Sequence, residues 1–271
     1  TGDVDVVLDG ARRARDAGLD SVWMFDHMWP LSGGKERPIL ECYSTLAYLA
    51  SITADTTIGT LVTRSTLRNP VVLAKMAATV SAIAPGRLVV GIGSGDAVSK
   101  DENDAYGFPY LAGGARAEQL EETVTIVRDH LNGRGVLPAG PHPSRPPRVW
   151  VGGRSAAALA IAGRSADGWN CWGGTPEAFA RERESVVAAA EGRDVDLTWA
   201  GLAVTGTTDA EASAGLGTRD PARYLVGGPD SLAAQLGELA AAGCSHAILT
   251  FPDASRRGSF ELLGEVRRHT P

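Results

Sequence analysis

Cysteine is scarce: Cys42, Cys171 and Cys244 are the only three in 271 residues, and no CxxC spacing joins them. Neither a disulfide framework nor a zinc site is expected from such a set. The five histidines (His27, His130, His142, His246 and His269) never form HxH or HExxH, so the usual ligands of a barrel metallohydrolase are missing and no metal is expected. There is no GxSxG nucleophile elbow and no Walker loop. Basic residues number 26 against 32 acidic ones, for a net charge of −6, and no dense Lys/Arg cluster interrupts that balance. Nucleic acid and anionic membrane surfaces are therefore not expected partners. No apolar run approaches the roughly 18 residues that span a bilayer, and no basic-then-apolar leader opens the chain. A cytoplasmic protein with a small-molecule ligand is the expectation.

What remains is an ordinary globular composition, 44% apolar and 21% charged, arranged in a repeating plan. Short apolar runs at 21–26, 57–63, 87–94, 148–152, 167–171, 197–204 and 246–251 read as strands, and most stop at Gly, Asp, Ser or Thr. Amphipathic stretches lie between them. In 115–131, Leu120, Val124, Val127 and Leu131 share one stripe while most charges lie off it. Helices are also expected over 4–17, 41–54, 70–83 and 229–242, two of them opened by Pro70 and Pro229 at a position that favours a helix start.

Strands alternating with helices give a parallel α/β protein, expected here as a single domain over 1–271. The helix over 4–17 has no strand before it, as it would in an eight-fold barrel. Seven strands plus one absent upstream make eight, so a (β/α)8 barrel is favoured over an open seven-stranded sheet. The least regular stretches are 31–40, 97–114, 138–147 and 205–223. All but 138–147 follow strand ends, where barrel enzymes place substrate loops.

Four constellations carry possible chemistry. Asp26, His27 and Trp29 leave the first strand together, bringing a carboxylate, an imidazole and an indole to one rim. The plainer alternative is that Asp26 caps the loop and His27 satisfies backbone groups. In 57–63, Gly59 signals a bulge or a close backbone approach within a strand, or simply relief of crowding. In Gly91-Ile-Gly-Ser-Gly-Asp96 a buried strand ends in small residues that let a flat molecule approach the backbone. Asp96 stands where the dinucleotide-binding fingerprint needs its third glycine, so that motif is excluded. Asp96 is either a proton donor, if buried beside a ligand, or the cap of a short helix starting near Ser99. In Gly152-Gly-Arg-Ser155 a strand turns into a helix whose free N–H groups, with Arg154 and Ser155 beside them, form a natural phosphate cradle, or else a tight turn with a surface arginine.

Taken in order, four segments resemble the luciferase-like monooxygenase superfamily, whose members use a flavin or the deazaflavin coenzyme F420. They are Asp26-His27, Ile58-Gly-Thr-Leu-Val62 with Asn69-Pro70, Gly86-Arg87-Leu88 leading to Gly91-Ile-Gly-Ser-Gly95, and Val149-Trp-Val-Gly-Gly-Arg-Ser155 leading to Ala166-Asp-Gly-Trp-Asn170. The resemblance spans nearly the whole chain and implies a barrel with its cofactor over the strand ends. It implies that Thr60, Leu61 and Val62 form a bulge, with a non-prolyl cis peptide at Leu61–Val62, that props the ring. Ser94, Gly95 and Asp96 would line that ring, and Gly152, Gly153, Arg154 and Ser155 would hold its phosphate. His27 and Asp96 would handle the proton that accompanies hydride transfer, with Asp26 and Trp29 in the substrate pocket. The Asp-His pair resembles the deazaflavin branch, which favours F420 over FMN and an F420-dependent oxidoreductase over an FMN monooxygenase or a non-catalytic cofactor binder. Dimers are common in the superfamily, which leaves a homodimer open, although no self-complementary patch is legible.

Overall fold

Helix starts are written into the chain as side-chain caps. Asp3 caps α1 (Val4–Asp16), Glu41 caps α2 (Cys42–Ile52), and Asn69 caps α3 (Pro70–Ile83), each side chain accepting from N–H groups of the first turn. The computed structural model describes residues 2–31, 34–135, 140–252 and 258–269. Between the helices run β1 (Ser21–Met24), β2 (Thr57–Arg64), β3 (Leu88–Gly93) and β4 (Arg148–Gly152), then β5 (Gly168–Trp172) and β6 (Asp196–Thr205). Every neighbouring pair from β1 to β6 is parallel. The remaining helices are α4 (Ser99–Tyr106), α5 (Gly113–Leu131), α6 (Ala156–Ser165), α7 (Pro176–Ala190), α8 (Asp209–Leu216), α9 (Pro229–Ala241) and α10 (Ser259–His269).

The end of the sheet departs from simple succession. β6 is ten residues long and, on the side away from β5, serves two partners. Its first part pairs with β8 (His246–Thr250), and its last four residues, from Leu202, pair with β7 (Tyr224–Gly227). All seven strands expected from sequence are present, and β7 is an eighth, in a place where no strand was expected. Two stretches expected to be irregular hold helices: α4 and the start of α5 lie in 97–114, and α8 lies in 205–223. Both new helices are eight residues long and rich in polar groups, so no apolar stripe announces them. Of the other irregular stretches, residues 32 and 33 and residues 138 and 139 lie outside the described residues.

The eight strands form one parallel sheet nearly closed into a barrel with alternating helices. Its apolar residues face two ways, as a covered parallel sheet requires. Val90, Ile92, Val149 and Val151 face the helices, packing with Leu46, Leu73, Val124 and Val127. Val89, Trp150, Leu61, Ala200 and Ile248 fill the interior with Trp23. The indoles of Trp23 and Trp150 stack there at 5.1 Å. Gly59 has its explanation in this interior, since a Cβ on it would lie 2.3 Å from the Trp23 ring. The glycine admits an indole, and the bulge in β2 falls later, at 61–62.

Among the described residues β1 and β8 do not pair, and a cavity of about 680 Å³ lies between them, walled by Val22, Met24, Leu61, Ile248, Leu249 and Phe260. At its floor Ser21 Oγ and His246 Nε2 stand 2.8 Å apart, joining the two strands by side chains alone. No helix among the described residues is long and apolar enough to cross a membrane.

Candidate active site

The carboxyl ends of β1 to β4 carry most of the residues singled out from sequence. β2 leads with a cis peptide between Leu61 and Val62 and a register shift between Thr60 and Thr63. The Thr60 hydroxyl donates to the Gly91 carbonyl at 2.9 Å and is thereby committed to the strand. Leu61 is buried, while Val62 is only partly covered. The glycines of β3 and β4 are cut to fit this bulge. A Cβ on Gly93 or Gly152 would lie 2.6 Å from a Val62 methyl, and one on Gly91 would lie 2.3 Å from the Thr60 carbonyl oxygen. The expectation that these glycines bare the backbone to a flat ligand is thus refined: they seat Val62. Gly95 has φ +73°, which favours glycine, and turns the chain toward α4.

Asp96 is exposed, and its Oδ1 accepts from the Ser99 N–H at 3.0 Å and the Ser99 hydroxyl at 2.9 Å. It therefore caps the start of α4, the alternative set beside proton donation. Ser94 and Gly95 are partly covered, with the Ser94 hydroxyl donating to the Gly95 carbonyl at 3.3 Å.

After β1, Asp26 and His27 are neighbours in sequence with separate partners. Asp26 is 1% exposed and takes a two-pronged ion pair from Arg68, at 2.5 and 3.1 Å. Arg68 also reaches Glu41 at 2.6 Å and lies over the Tyr43 ring. Its guanidinium is held charged beyond its ordinary range because, although burial opposes the charge, the hydrogen bonds and charge of Asp26 outweigh it. Asp26 is thus saturated from within the protein.

His27 turns to Glu102 on α4, a residue the sequence reading missed. Glu102 is 1% exposed, its Oε2 standing 2.8 Å from His27 Nδ1 and 3.0 Å from Arg64 Nη2. Its Oε1 accepts from the N–H groups of Met28 and Trp29, the latter at 3.3 Å. Burial alone pushes the Glu102 carboxyl up. The hydrogen bonds from His27 and Met28, with the charges of His27 and Arg64, prevail and hold it below the usual carboxylate range. Arg64 is itself 3% exposed and donates to Asn103 Oδ1 at 2.7 Å, though its burial lowers its proton affinity. One signal was available: Ser99, Glu102 and Asn103 share the i, i+3, i+4 spacing of one helix face, and all three are buried. Read as a run of charges, the segment instead looks like a solvated face.

Trp29 stands at the rim, edge-on to Tyr106 with Lys35 4.0 Å above its ring. At the end of β4, Gly152 and Gly153 are partly covered and lead into α6, whose first turn Ser155 caps by accepting from the Ala158 N–H at 3.2 Å. Arg154 is exposed and pairs with Glu182 at 2.7 Å, reaching across to the Gly173 carbonyl at the end of β5. The rim thus joins His27, Glu102, Arg64 and Gly95 into one cluster, with Val62, Gly93 and Gly152 making a second on the same strand ends. Trp29 meets the first cluster through its backbone, and Arg154 lies apart, on the β5 side. Among the described residues no group of three His, Cys, Asp or Glu could hold a metal ion.

A parallel α/β ring with its polar groups gathered at the carboxyl ends of the strands follows the general plan of barrel proteins that bind ligands there. The chain belongs to the luciferase-like monooxygenase family, whose model matches residues 1–236. Among curated proteins it is 30% identical over 183 residues to the F420-dependent glucose-6-phosphate dehydrogenase of Kineococcus radiotolerans, covering 62% of this chain and 52% of that protein. The enzyme of the same name from Intrasporangium calvum is 32% identical over 180 residues, covering 62% and 54%. The chain thus spans about half the length of the curated relatives it matches. In fold it is similar to an F420-dependent secondary alcohol dehydrogenase solved with an F420–acetone adduct, at a TM-score of 0.80 and 18% identity, covering 97% of this chain and 94% of that one.

Proposed function

We propose that this protein is an F420-dependent oxidoreductase acting on a small organic substrate at the rim formed by β1 to β4. The single observation that carries this is that the carboxyl ends of β1 to β4 hold both His27, bound to a buried carboxylate and 16% exposed, and Val62, seated against Gly93 and Gly152. The names of the curated relatives add the cofactor class, and the Asp26-His27 pair points the same way.

The residues fit such a group. Removing a Cβ at Gly93 and Gly152 lets Val62 stand into the rim, where a planar ring needs an apolar support. Gly153, at φ +141°, carries no side chain over the start of α6, and Arg154 and Ser155 are exposed beside it. Gly152, Gly153, Arg154 and Ser155 would hold a phosphate there, through N–H groups at a helix start and one guanidinium. Ser94 and Gly95 would line the ring, with Thr60, Leu61 and Val62 beneath it. When bound, a deazaflavin supplies hydride transfer and reacts poorly with oxygen. The protein's share is to orient, to exclude water and to move a proton. His27 gives or takes that proton at Nε2, and Trp29 and the backbone at Asp26 wall the substrate side. Asp96 keeps Oδ2 free of its capping role and is the second candidate for proton transfer.

Titration of the purified protein with F420 and, separately, with FMN tests this. Saturable F420 binding, weak or absent FMN binding and hydride transfer to an added substrate are expected. Tight FMN binding with oxygen consumption would replace the proposal with a flavin monooxygenase. F420 binding without turnover on any substrate would make the protein a cofactor binder.

A further inference from the structure

We propose that Glu102 is a positioning residue that fixes the proton of neutral His27 on Nδ1, leaving Nε2 as the nitrogen that exchanges protons with substrate. This rests on the role given above to His27 and adds which atom acts and what determines it.

Three consecutive residues hang from one carboxylate. His27 Nδ1 meets Oε2 at 2.8 Å, and the N–H groups of Met28 and Trp29 meet Oε1. Helix α4 grips the same segment a second time, since the Tyr106 hydroxyl donates to the Met28 carbonyl at 3.1 Å. An ionised carboxylate has no proton to give, so every group around it must donate. Arg64, at 3.0 Å, keeps Glu102 ionised and donates nothing to the imidazole. His27 can satisfy Oε2 only by placing its proton on Nδ1, and a ring nitrogen so engaged determines the state of the other. Nε2 makes no hydrogen bond among the described residues, and the side chain retains some exposure. The charges around the pair are Arg64 against Glu102 and, beyond Arg64, Asp26, Asp96 and Arg68. Asp26, adjacent in sequence, does not compete for the imidazole because Arg68 occupies both of its oxygens.

A purely structural Glu102 would anchor α4 through the Met28 and Trp29 N–H groups alone and would leave the imidazole proton free to sit on either nitrogen. The two roles separate by nitrogen NMR of the imidazole rings in the full chain, with the His27 signals assigned by their loss in His27→Gln. In the wild-type protein with the ring neutral, Nδ1 is expected to carry the proton and Nε2 to be bare. A proton on Nε2 would overturn the proposal, with no variant required. In Glu102→Gln one amide oxygen must serve the Met28 and Trp29 N–H groups, which turns the amide nitrogen toward Nδ1. The expected result is a proton shifted from Nδ1 to Nε2, since Nδ1 then accepts from the amide. An unchanged tautomer in a folded Glu102→Gln protein would reduce Glu102 to an anchor. Failure of F420 to bind, with the wild-type tautomer as expected, would remove the cofactor assignment and leave the positioning role intact.

Discussion

Two regions of this barrel compete for a ligand, and they differ in kind. The space between β1 and β8 has volume, about 680 Å³, and walls made chiefly of aliphatic and aromatic side chains. The rim over β1 to β4 is chemically dense, with a histidine, a buried carboxylate, a buried guanidinium and a helix start gathered at the strand ends. Volume follows from what the sheet leaves unpaired, whereas chemistry requires groups brought together against their tendency to be solvated. Burying Glu102 and Arg64 at 1% and 3% exposure is unfavourable unless each is paired, and here they pair with each other while Glu102 also holds the segment that carries His27. That asymmetry is why we propose the rim as the site.

Substitutions can break the contrast, beginning with the largest effect. His27→Ala should lower turnover by about a hundredfold or more, the usual contribution of a proton-transfer group, while F420 affinity is largely kept. Steady-state kinetics beside a cofactor titration reads both, and unchanged turnover would remove His27 from the chemistry. Next, Gly152→Ala drives a Cβ to within 2.6 Å of Val62, a stiff β-branched side chain. It should destabilise the fold by about 1–3 kcal/mol through overpacking and weaken F420 binding with it. Its counterpart on the other side is Gly10→Ala, inside α1 and on the cavity wall, where the new Cβ meets only ordinary contacts with Phe260 at 3.7 Å or more. That change should stabilise by up to about 1 kcal/mol through helix propensity, as read by urea unfolding, and leave F420 affinity unaltered. Loss of F420 binding in Gly10→Ala would move the site into the cavity. The smallest effect belongs to Arg154→Ala. Because Arg154 is exposed and already paired with Glu182, its removal should weaken F420 binding by only about three- to tenfold.

The two carboxylates near His27 show what was legible in sequence and what was not. Asp26 was visible because it adjoins His27, and its chemistry was inferred from that adjacency; its actual partner is Arg68, 42 positions away. Glu102 was hidden because its partner is 75 positions away and its helix shows no apolar stripe. Long-range pairing of charges leaves no local period, so it emerges only when strand order is known. The strands themselves were legible for the opposite reason. β-branched runs ending in small residues are local, and all seven fell where expected, within a residue or two at their ends. β7 is four residues long and was missed. The glycines of 91–95 and 152 were singled out from sequence, yet a glycine announces only that something approaches closely. At Gly93 and Gly152 the visitor is Val62.

A crystal structure of the protein with F420 bound decides between the two regions directly. The ring should lie against Val62, with the phosphate at residues 152–155 and His27 Nε2 facing the substrate side. Density for the ring between β1 and β8, flanked by Trp23 and Ile248, would contradict the assignment of the rim.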